Sequence, residues 1–262
     1  MQRNVATPWA DLGRSRYRLH PSPVRGATRG PGPYRHGLSL VLLALGGALA
    51  LPASALERAD LRLHLGFEGS LVPQVGPATV AIAVQNGQAS DVCYVAGRRG
   101  LAVQLAPGRG ISFNGRDLFA AHEGTASLWV RPLGWRGGDG LNHCFLQASS
   151  DCTSFLLYKF YPGNTWVYLT GAGRTGVVGG WWDSWKEEQW TFLAFTFRPG
   201  EQAWYIDGKL QTRRTEDLIE PDFTKAAGVQ LLEGNQVLDE IMVFSRALTE
   251  PEVEAVYRAN RP

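Results

Sequence analysis

Short stretches of alternating apolar and polar residues, separated by Gly- and Pro-rich turns, run through most of this chain. The alternation is clear in residues 61–67 and again further on, where Leu128 and Val130 fall on one face and Trp129 and Arg131 on the other. Period-two alternation of this kind is typical of half-buried β-strands. Further segments of this type are residues 79–85, 101–105, 111–113, 144–147, 155–160 and 165–170. Short strands at this spacing predict an all-β sandwich or barrel.

The most apolar segment, residues 190–197, contains only two threonines besides its apolar and aromatic residues. Its length and composition favour a strand that is covered on both faces. An Arg-Pro-Gly-Glu turn follows, residues 202–206 run back, and Asp207-Gly208 is a strong hairpin signal. These features predict a meander of three antiparallel strands at the centre of a sheet.

Helical signals are concentrated near the end of the chain. Thr249 and Glu252 have the spacing of a capping box, and Pro251 is tolerated in a first helical turn. Val253 and the residues 256–257 then fall on one face of the predicted helix. A short C-terminal helix packed on the sandwich is therefore expected.

Four sequence blocks carry a resemblance to a known family, and they occur in the order GRRGLAVQLAPGRGISF, TASLWVRP, WTFLAFTFRPGEQAWYIDGKL and VLDEIMVFSRALTEPEVEAVY. Together they resemble a laminin-G-like jellyroll of the concanavalin A-like lectin/glucanase superfamily, over about residues 61–257. The resemblance implies a two-sheet antiparallel jellyroll sandwich with one short C-terminal helix. It also implies framework roles for Asp239, Arg246, Ala247, Leu248, Trp190, Tyr205, Asp207 and Gly208.

The N-terminal part of the chain differs in composition from the rest. Residues 1–37 hold seven Arg and a single acid, and residues 38–51 are a 14-residue apolar run followed by Ala53-Ser54-Ala55. This order is typical of a secretory signal peptide. It predicts a leader at 1–55, cleavage after Ala55, and a domain at 56–262 that is secreted, periplasmic or held at the cell surface. A membrane anchor is the alternative, although it requires about 20 apolar residues.

The excess of positive charge in the chain lies in that leader. Residues 56–262 hold 19 Lys and Arg against 23 Asp and Glu, a net charge of −4. The predicted mature domain therefore has no basic stripe for nucleic acid, and no apolar run long enough to span a membrane.

Three cysteines would meet an oxidising compartment after export. Cys144 and Cys152 are close enough in sequence to cross-link a hairpin, which would leave Cys93 single, although other pairings stay open. Asp139, Asn142 and Asp151 lie in one polar region, and their oxygen atoms suit calcium. Because no fixed-spacing calcium motif is present, solvated acids are the alternative.

Catalytic signals are weak. A glycosidase needs two carboxylates across a cleft, and the one-strand spacing that the glucanase branch of the superfamily uses is absent. The acidic pairs are adjacent residues that would point to opposite faces of a strand. Tyr158-Lys159-Phe160 is similar to a Tyr/Lys strand of jellyroll alginate lyases, but a strand with an exposed lysine explains it more simply. A divergent lyase or hydrolase is therefore the least favoured function.

A cluster of tryptophans is the best functional signal. Trp181, Trp182 and Trp185 follow a Gly-rich run, and Asp183 and Asn164 are the polar candidates beside them. Exposed indoles in a loop can stack on sugar rings, whereas a lid folded over one end of the sandwich would bury them. Together with the family resemblance, this cluster predicts an exported, non-catalytic module that recognises carbohydrate or a glycan-bearing surface. A structural or adhesive module that binds protein is the alternative.

Overall fold

The computed structural model describes residues 60–76, 82–85, 87–105, 109–114, 117–150, 153–161, 163–224, 228–231 and 235–260. These residues all belong to one compact unit, Leu49–Pro262. The predicted leader and its cleavage site lie outside the described residues, as do Asp151 and Cys152. No helix in the described ranges is both long enough and apolar enough to cross a membrane.

The described residues form fifteen strands and one C-terminal α-helix, α1 (Glu250–Ala259). In chain order the strands are β1 (Leu61–Leu65), β2 (Ile82–Gln85), β3 (Cys93–Ala96), β4 (Leu101–Gln104), β5 (Gly110–Asn114), β6 (Gly124–Pro132), β7 (His143–Ser149), β8 (Thr153–Phe160), β9 (Asn164–Gly171), β10 (Arg174–Trp181), β11 (Thr191–Arg198), β12 (Glu201–Ile206), β13 (Lys209–Arg214), β14 (Gly228–Leu231) and β15 (Gln236–Phe244).

Two antiparallel sheets contain these strands. The eight-stranded sheet has the order β13-β12-β11-β6-β15-β4-β3, with β1 also paired to β15, and the seven-stranded sheet has the order β10-β9-β8-β7-β14-β5-β2. Their inner faces share one buried cluster, to which Leu128 and Phe195 contribute from one sheet and Leu157 and Val167 from the other. The predicted fold, an all-β two-sheet antiparallel jellyroll sandwich with one short helix, is confirmed.

The predicted meander is strands β11, β12 and β13. Seven of the eight residues of β11 are buried, as expected for a strand covered on both faces. Asp207 and Gly208 have φ values of 51° and 74°, as a type I′ turn requires. The meander lies at one side of its sheet, with β13 at the edge, so the predicted central position is wrong. The sequence of β13, KLQTRR, suits an edge strand, because its charged side chains disfavour pairing with a strand of another chain.

Replacing Gly208 is expected to destabilise the fold for two reasons. A Cβ at this position would lie 2.8 Å from the Tyr257 ring, and φ is positive. We expect Gly208→Ala to lower the free energy of unfolding by about 2–4 kcal/mol in thermal melts. Gly200→Ala is the matched control, because Gly200 has φ 76° but no atom within 4 Å of such a Cβ. Equal melting temperatures for the two variants would show that the clash of the new Cβ with Tyr257 on α1 does not affect stability.

Helix α1 covers the outer face of the eight-stranded sheet. The Thr249 N–H donates to Glu252 Oε2 at 2.7 Å, so the predicted capping box is present. Val253 and Val256 are buried, and the Tyr257 ring stacks on Trp129 with centroids 5.4 Å apart. These side chains complete a second buried cluster between α1 and the sheet.

Two of the predicted framework residues tie distant segments together. The guanidinium of Arg246 donates to Asp60 at 2.6 Å and to Glu252 at 2.7 Å. Asp239 is buried and accepts the backbone N–H of Arg98 at 2.7 Å, and burial raises its pKa to about 7. The neighbouring Glu240, also buried, pairs with His64 at 2.8 Å. The two adjacent carboxylates therefore serve the packing of the eight-stranded sheet.

Candidate functional site

The outer faces of the two sheets differ in what covers them. Helix α1 packs on the eight-stranded sheet, whereas no α-helix of the described ranges packs on the seven-stranded sheet. On strands β8 and β9 the outer face of the seven-stranded sheet carries aromatic side chains, which are Tyr158, Phe160, Trp166 and Tyr168. Neither of the two buried clusters includes these four side chains.

The register of the strands establishes this orientation. Leu157, Val167 and Val178 are cross-strand partners, and all three are buried in the shared core. Because side chains alternate between faces along a strand, their sequence neighbours point outward. One outward row across β8, β9 and β10 is Tyr158, Trp166 and Gly179, and the next row is Phe160, Asn164 and Trp181.

The aromatic rings of the outer face contact one another. Phe160 and Trp166 are stacked, with centroids 5.1 Å apart and planes inclined by 25°. Tyr158 lies beside both rings, 5.9 Å from Phe160 and 6.2 Å from Trp166 between centroids. Only 9% of Tyr158 is exposed, and burial raises its pKa to about 12, so the phenol is neutral at physiological pH. The cluster is thus a half-buried, uncharged aromatic surface.

Gly179 provides the space that the Trp166 side chain occupies. It is the cross-strand partner of Trp166, and a Cβ on Gly179 would come within 2.5 Å of Trp166 Cβ. Its φ of 138° also favours glycine. The Gly-rich run before the tryptophans is therefore largely strand β10, and Gly179 allows the Trp166 indole to lie over the sheet.

The predicted tryptophan cluster is divided between the surface and the core. Trp181 ends β10 with 66% of its surface exposed. Trp181 is the cross-strand partner of Asn164. Gly163 lies next to both Trp181 and Asp183: a Cβ built on Gly163 would be 3.0 Å from the Trp181 ring and 3.3 Å from Asp183 Cβ. Asp183 is itself exposed. Trp181, Asn164 and Asp183 therefore lie together at one corner of the outer face.

Trp185 belongs to the core, so the lid interpretation is the correct one for this residue. Only 2% of it is exposed, and its Nε1 donates to Thr165 Oγ1 at 2.8 Å. Its ring lies 5.2 Å from Trp135 and 5.3 Å from Phe145. Trp182 is half-buried and meets the Trp185 ring edge-on at 5.1 Å. Burial within the sandwich thus removes Trp185 from the predicted ligand-binding set.

Lys159 is buried, and the expectation of an exposed lysine is wrong. None of its surface is exposed, and its ammonium donates to the Asp139 carboxylate and to the Leu141 carbonyl, the latter at 2.8 Å. The register explains the difference, since Lys159 pairs with Thr165 on the inner face while Tyr158 and Phe160 point outward. The sequence favoured the opposite orientation because lysine is usually exposed.

His143 completes this buried charge cluster. Its Nε2 lies 2.6 Å from Asp139 Oδ2, and Trp135 stacks on its ring with centroids 3.8 Å apart. Burial lowers the pKa of His143, so the imidazole is neutral at pH 7. Burial alone raises the pKa of Asp139, but the hydrogen bonds from Lys159 and His143 outweigh it and lower that pKa. Asp139 is therefore the ionised partner of Lys159.

Two of the three predicted calcium ligands have other partners. Asp139 is bound by Lys159 and His143, and Asn142 Oδ1 accepts the Tyr161 N–H at 2.9 Å. Asp151 lies outside the described residues. Among the residues that are described, no group of three metal-ligating side chains comes together. The structure thus gives the calcium prediction no support, and it stays a prediction.

The predicted Cys144–Cys152 disulfide involves one residue that lies outside the described ranges, Cys152. Cys144 carries a free thiol, as does Cys93, and Cys144 pairs with Tyr158 on β8. The structure thus gives this disulfide no support, and it stays a prediction.

Comparison with known families identifies the fold. The sequence profile of a laminin-G family in the concanavalin A-like lectin/glucanases superfamily matches residues 106–254. The chain belongs to this superfamily. No curated protein matches the chain in sequence.

Solved structures with the superfamily fold resemble the chain at low sequence identity. Domain 4 of AbnA, a GH43 extracellular arabinanase from Geobacillus stearothermophilus in complex with arabinotriose, has a TM-score of 0.61 and 22% identity over 76% of this chain and 98% of that one. The receptor-binding domain of botulinum neurotoxin mosaic serotype C/D has a TM-score of 0.61 and 18% identity, covering 76% and 51% of the two chains. The binding domain of Paraclostridial Mosquitocidal Protein 1 has a TM-score of 0.62 and 19% identity, covering 77% and 52%. The present chain thus matches about half the length of the two toxin domains, and these identities show a shared fold alone.

Sequence reasoning missed that Tyr158, Phe160, Trp166 and Tyr168 share the outer face of the seven-stranded sheet. The signal that could have found them is the alternation in β9, where Thr165, Val167 and Leu169 are buried between half-buried aromatic and polar residues. Cross-strand pairing then turns the aromatics of β8 to the same face.

Proposed function

We propose that this member of the superfamily is an exported, non-catalytic carbohydrate-binding module. Its ligand lies on the outer face of the seven-stranded sheet, against Trp166 and Trp181. The observation that carries the proposal is the contrast between the two outer faces. Helix α1 covers one of them, and the other presents a cluster of half-buried aromatic rings with a largely exposed indole at its corner.

The chemistry of this face suits sugar. A pyranose or furanose ring has apolar faces edged by hydroxyl groups, so it needs a flat apolar surface beside hydrogen-bonding groups. Trp181 supplies such a surface, because its indole is 66% exposed at the end of β10. Asn164 and Asp183 provide amide and carboxylate groups at the same corner. The arabinotriose complex of AbnA domain 4 supports the same class of ligand for this fold.

The positions of the buried carboxylates support a non-catalytic role. Glycoside hydrolysis needs a pair of carboxylates that both reach the scissile bond. Asp239 and Glu240 are occupied by backbone N–H groups and by His64 in the eight-stranded sheet. Asp139 is held on the inner side of the seven-stranded sheet by Lys159. The signal-like pattern of residues 38–55 supports export to the medium, the periplasm or the cell surface.

Removing the exposed indole tests this function. We expect Trp181→Ala to change the free energy of unfolding by no more than about 0.5 kcal/mol, because the side chain is 66% exposed. Retention on insoluble polysaccharides should fall by about tenfold or more, as for an aromatic residue that contributes much of the binding energy. Pull-down assays and denaturant melts on the same preparations measure both quantities.

Trp190→Ala is the matched control for this experiment. Trp190 is a half-buried indole on the opposite sheet, with Arg131 placed 5.3 Å from its ring. The control should bind polysaccharide as the unmodified protein does. If Trp181→Ala is stable and retains full binding, this corner is not the site, and the protein-interaction alternative becomes the better function.

A further inference from the structure

The outer face of the seven-stranded sheet carries no charged side chain on any of its described cross-strand rows. One row crosses all seven strands, from β2 to β10, and its members are Ala83, Ser112, Gln230, Gln147, Leu156, Tyr168 and Val177. The next row is Gly228, Ser149, Ser154, Thr170 and Thr175. The aromatic row of Tyr158, Trp166 and Gly179 continues to Cys144 on β7. All of these residues are uncharged.

Amides and hydroxyls occupy the part of the face that has no aromatic residues. Gln230 and Gln147 are adjacent partners near the middle of the sheet, and serines lie on both sides of them. Amide and hydroxyl groups both donate and accept hydrogen bonds, so they complement sugar hydroxyls. The face therefore has an aromatic half on β8–β10 and an amide and hydroxyl half on β7, β14 and β5.

Charged residues beside this face are acidic, already hydrogen-bonded or on the inner side of the sheet. Arg174, the first residue of the edge strand β10, shares a row with Gly171 and the buried Thr153 and so belongs to an inward-facing row. Asp183 lies beside Trp181 and is acidic. Arg214 reaches the edge strand β10, where its Nη1 donates to the Val177 carbonyl at 2.8 Å. Lys159 is on the inner side of the sheet and is paired with Asp139. No described row offers a cation that could neutralise a bound anion.

We propose that the ligand is a neutral polysaccharide that lies across the strands, in contact with both halves of the face. This inference rests on the proposed function and specifies its substrate class. A carboxylate or sulfate group on the ligand would lose its hydration against this surface without gaining a counter-charge, which is unfavourable. The seven strands of the longest row span about 29 Å, so the face accommodates a chain of several sugar units.

The experiment compares neutral and anionic polysaccharides with the whole mature chain. Insoluble cellulose, arabinan and mannan are the neutral probes, and alginate beads and heparin beads are the anionic probes. We expect retention on at least one neutral probe that changes by less than about threefold between about 0.05 M and about 0.5 M NaCl, since salt screens only interactions between charges. Retention on an anionic probe that is lost at the higher salt concentration would overturn the inference while leaving the proposed function in place.

A pair of substitutions of opposite charge gives a second readout. Gln147→Lys and Gln147→Glu should weaken retention on the neutral probe by similar factors, within about twofold of each other, because a neutral ligand has no net charge to attract or repel. Tighter binding by Gln147→Lys together with weaker binding by Gln147→Glu would overturn the inference. The equivalent pair at Gln230 repeats the test if either Gln147 variant melts early. Retention on neither class of probe would overturn the proposed function itself, and this inference with it.

Discussion

Asp139→Ala is expected to lower the free energy of unfolding by about 3–5 kcal/mol, the penalty for leaving a buried charge without its partner. Lys159 has no exposed surface, and its ammonium donates to Asp139 and to the Leu141 carbonyl. Without the carboxylate, that ammonium would have only a neutral acceptor, and His143 would lose its partner as well. Urea denaturation at pH 7 measures the change.

Neutralising both partners provides the matched control. The double variant Asp139→Asn with Lys159→Met is expected to be within about 1 kcal/mol of the unmodified protein, or more stable, because no charge then remains buried. Asp183→Ala is a second control, since that carboxylate is exposed. If Asp139→Ala is as stable as Asp183→Ala, the Lys159 ammonium reaches water in solution, and the buried ion pair described here is wrong.

Trp185→Ala is expected to destabilise the protein by roughly 3–5 kcal/mol through the cavity that it creates. The indole is 2% exposed, contacts Trp135 and Phe145, and donates to Thr165 Oγ1. The molecules that remain folded should still bind polysaccharide, because Trp185 lies beneath the surface that carries Trp181. Denaturant melts combined with pull-downs well below the melting temperature separate these two effects.

Trp185→Phe is the graded control for that prediction. It keeps most of the ring but loses the Nε1 hydrogen bond, whose removal costs about 1 kcal/mol in a typical protein. We therefore expect an intermediate stability. A Trp185→Ala variant that is fully stable but no longer binds polysaccharide would return Trp185 to the ligand-binding set.

Short sequence motifs were sufficient to predict individual turns and helix ends. Asp207-Gly208 forms the tight turn that its sequence predicts, because few residue pairs adopt two consecutive positive φ angles. Thr249 and Glu252 form the capping box for a similar reason, since both partners lie within one helical turn. In each case the interacting groups are at most three residues apart, so the rest of the fold hardly affects them.

Strand β8 shows where the pattern became ambiguous. Its residues Leu156, Leu157, Tyr158 and Phe160 are apolar or aromatic on both faces. Alternation then places Lys159 opposite Tyr158 without deciding which of the two is inside. Pairing with β9 decided it, because Val167 is a core residue and Leu157 is its partner. As a result, Lys159 is buried and paired with Asp139, whereas Tyr158 and Phe160 point to the outer face of the sheet.

The candidate site was decided in the same way, by contacts between residues far apart in the chain. Strand patterning and short motifs predicted an all-β sandwich or barrel with a capped C-terminal helix, because those signals depend on propensities and on neighbours in sequence. The two-sheet jellyroll was implied by the resemblance of four sequence blocks to a known family. Whether Trp181 or Trp185 faces solvent, and which sheet α1 leaves open, depended on the packing of one sheet on the other. Burial is a property of the assembled sandwich. In an isolated strand both faces are exposed to solvent, and one of them becomes buried only when the second sheet packs against it.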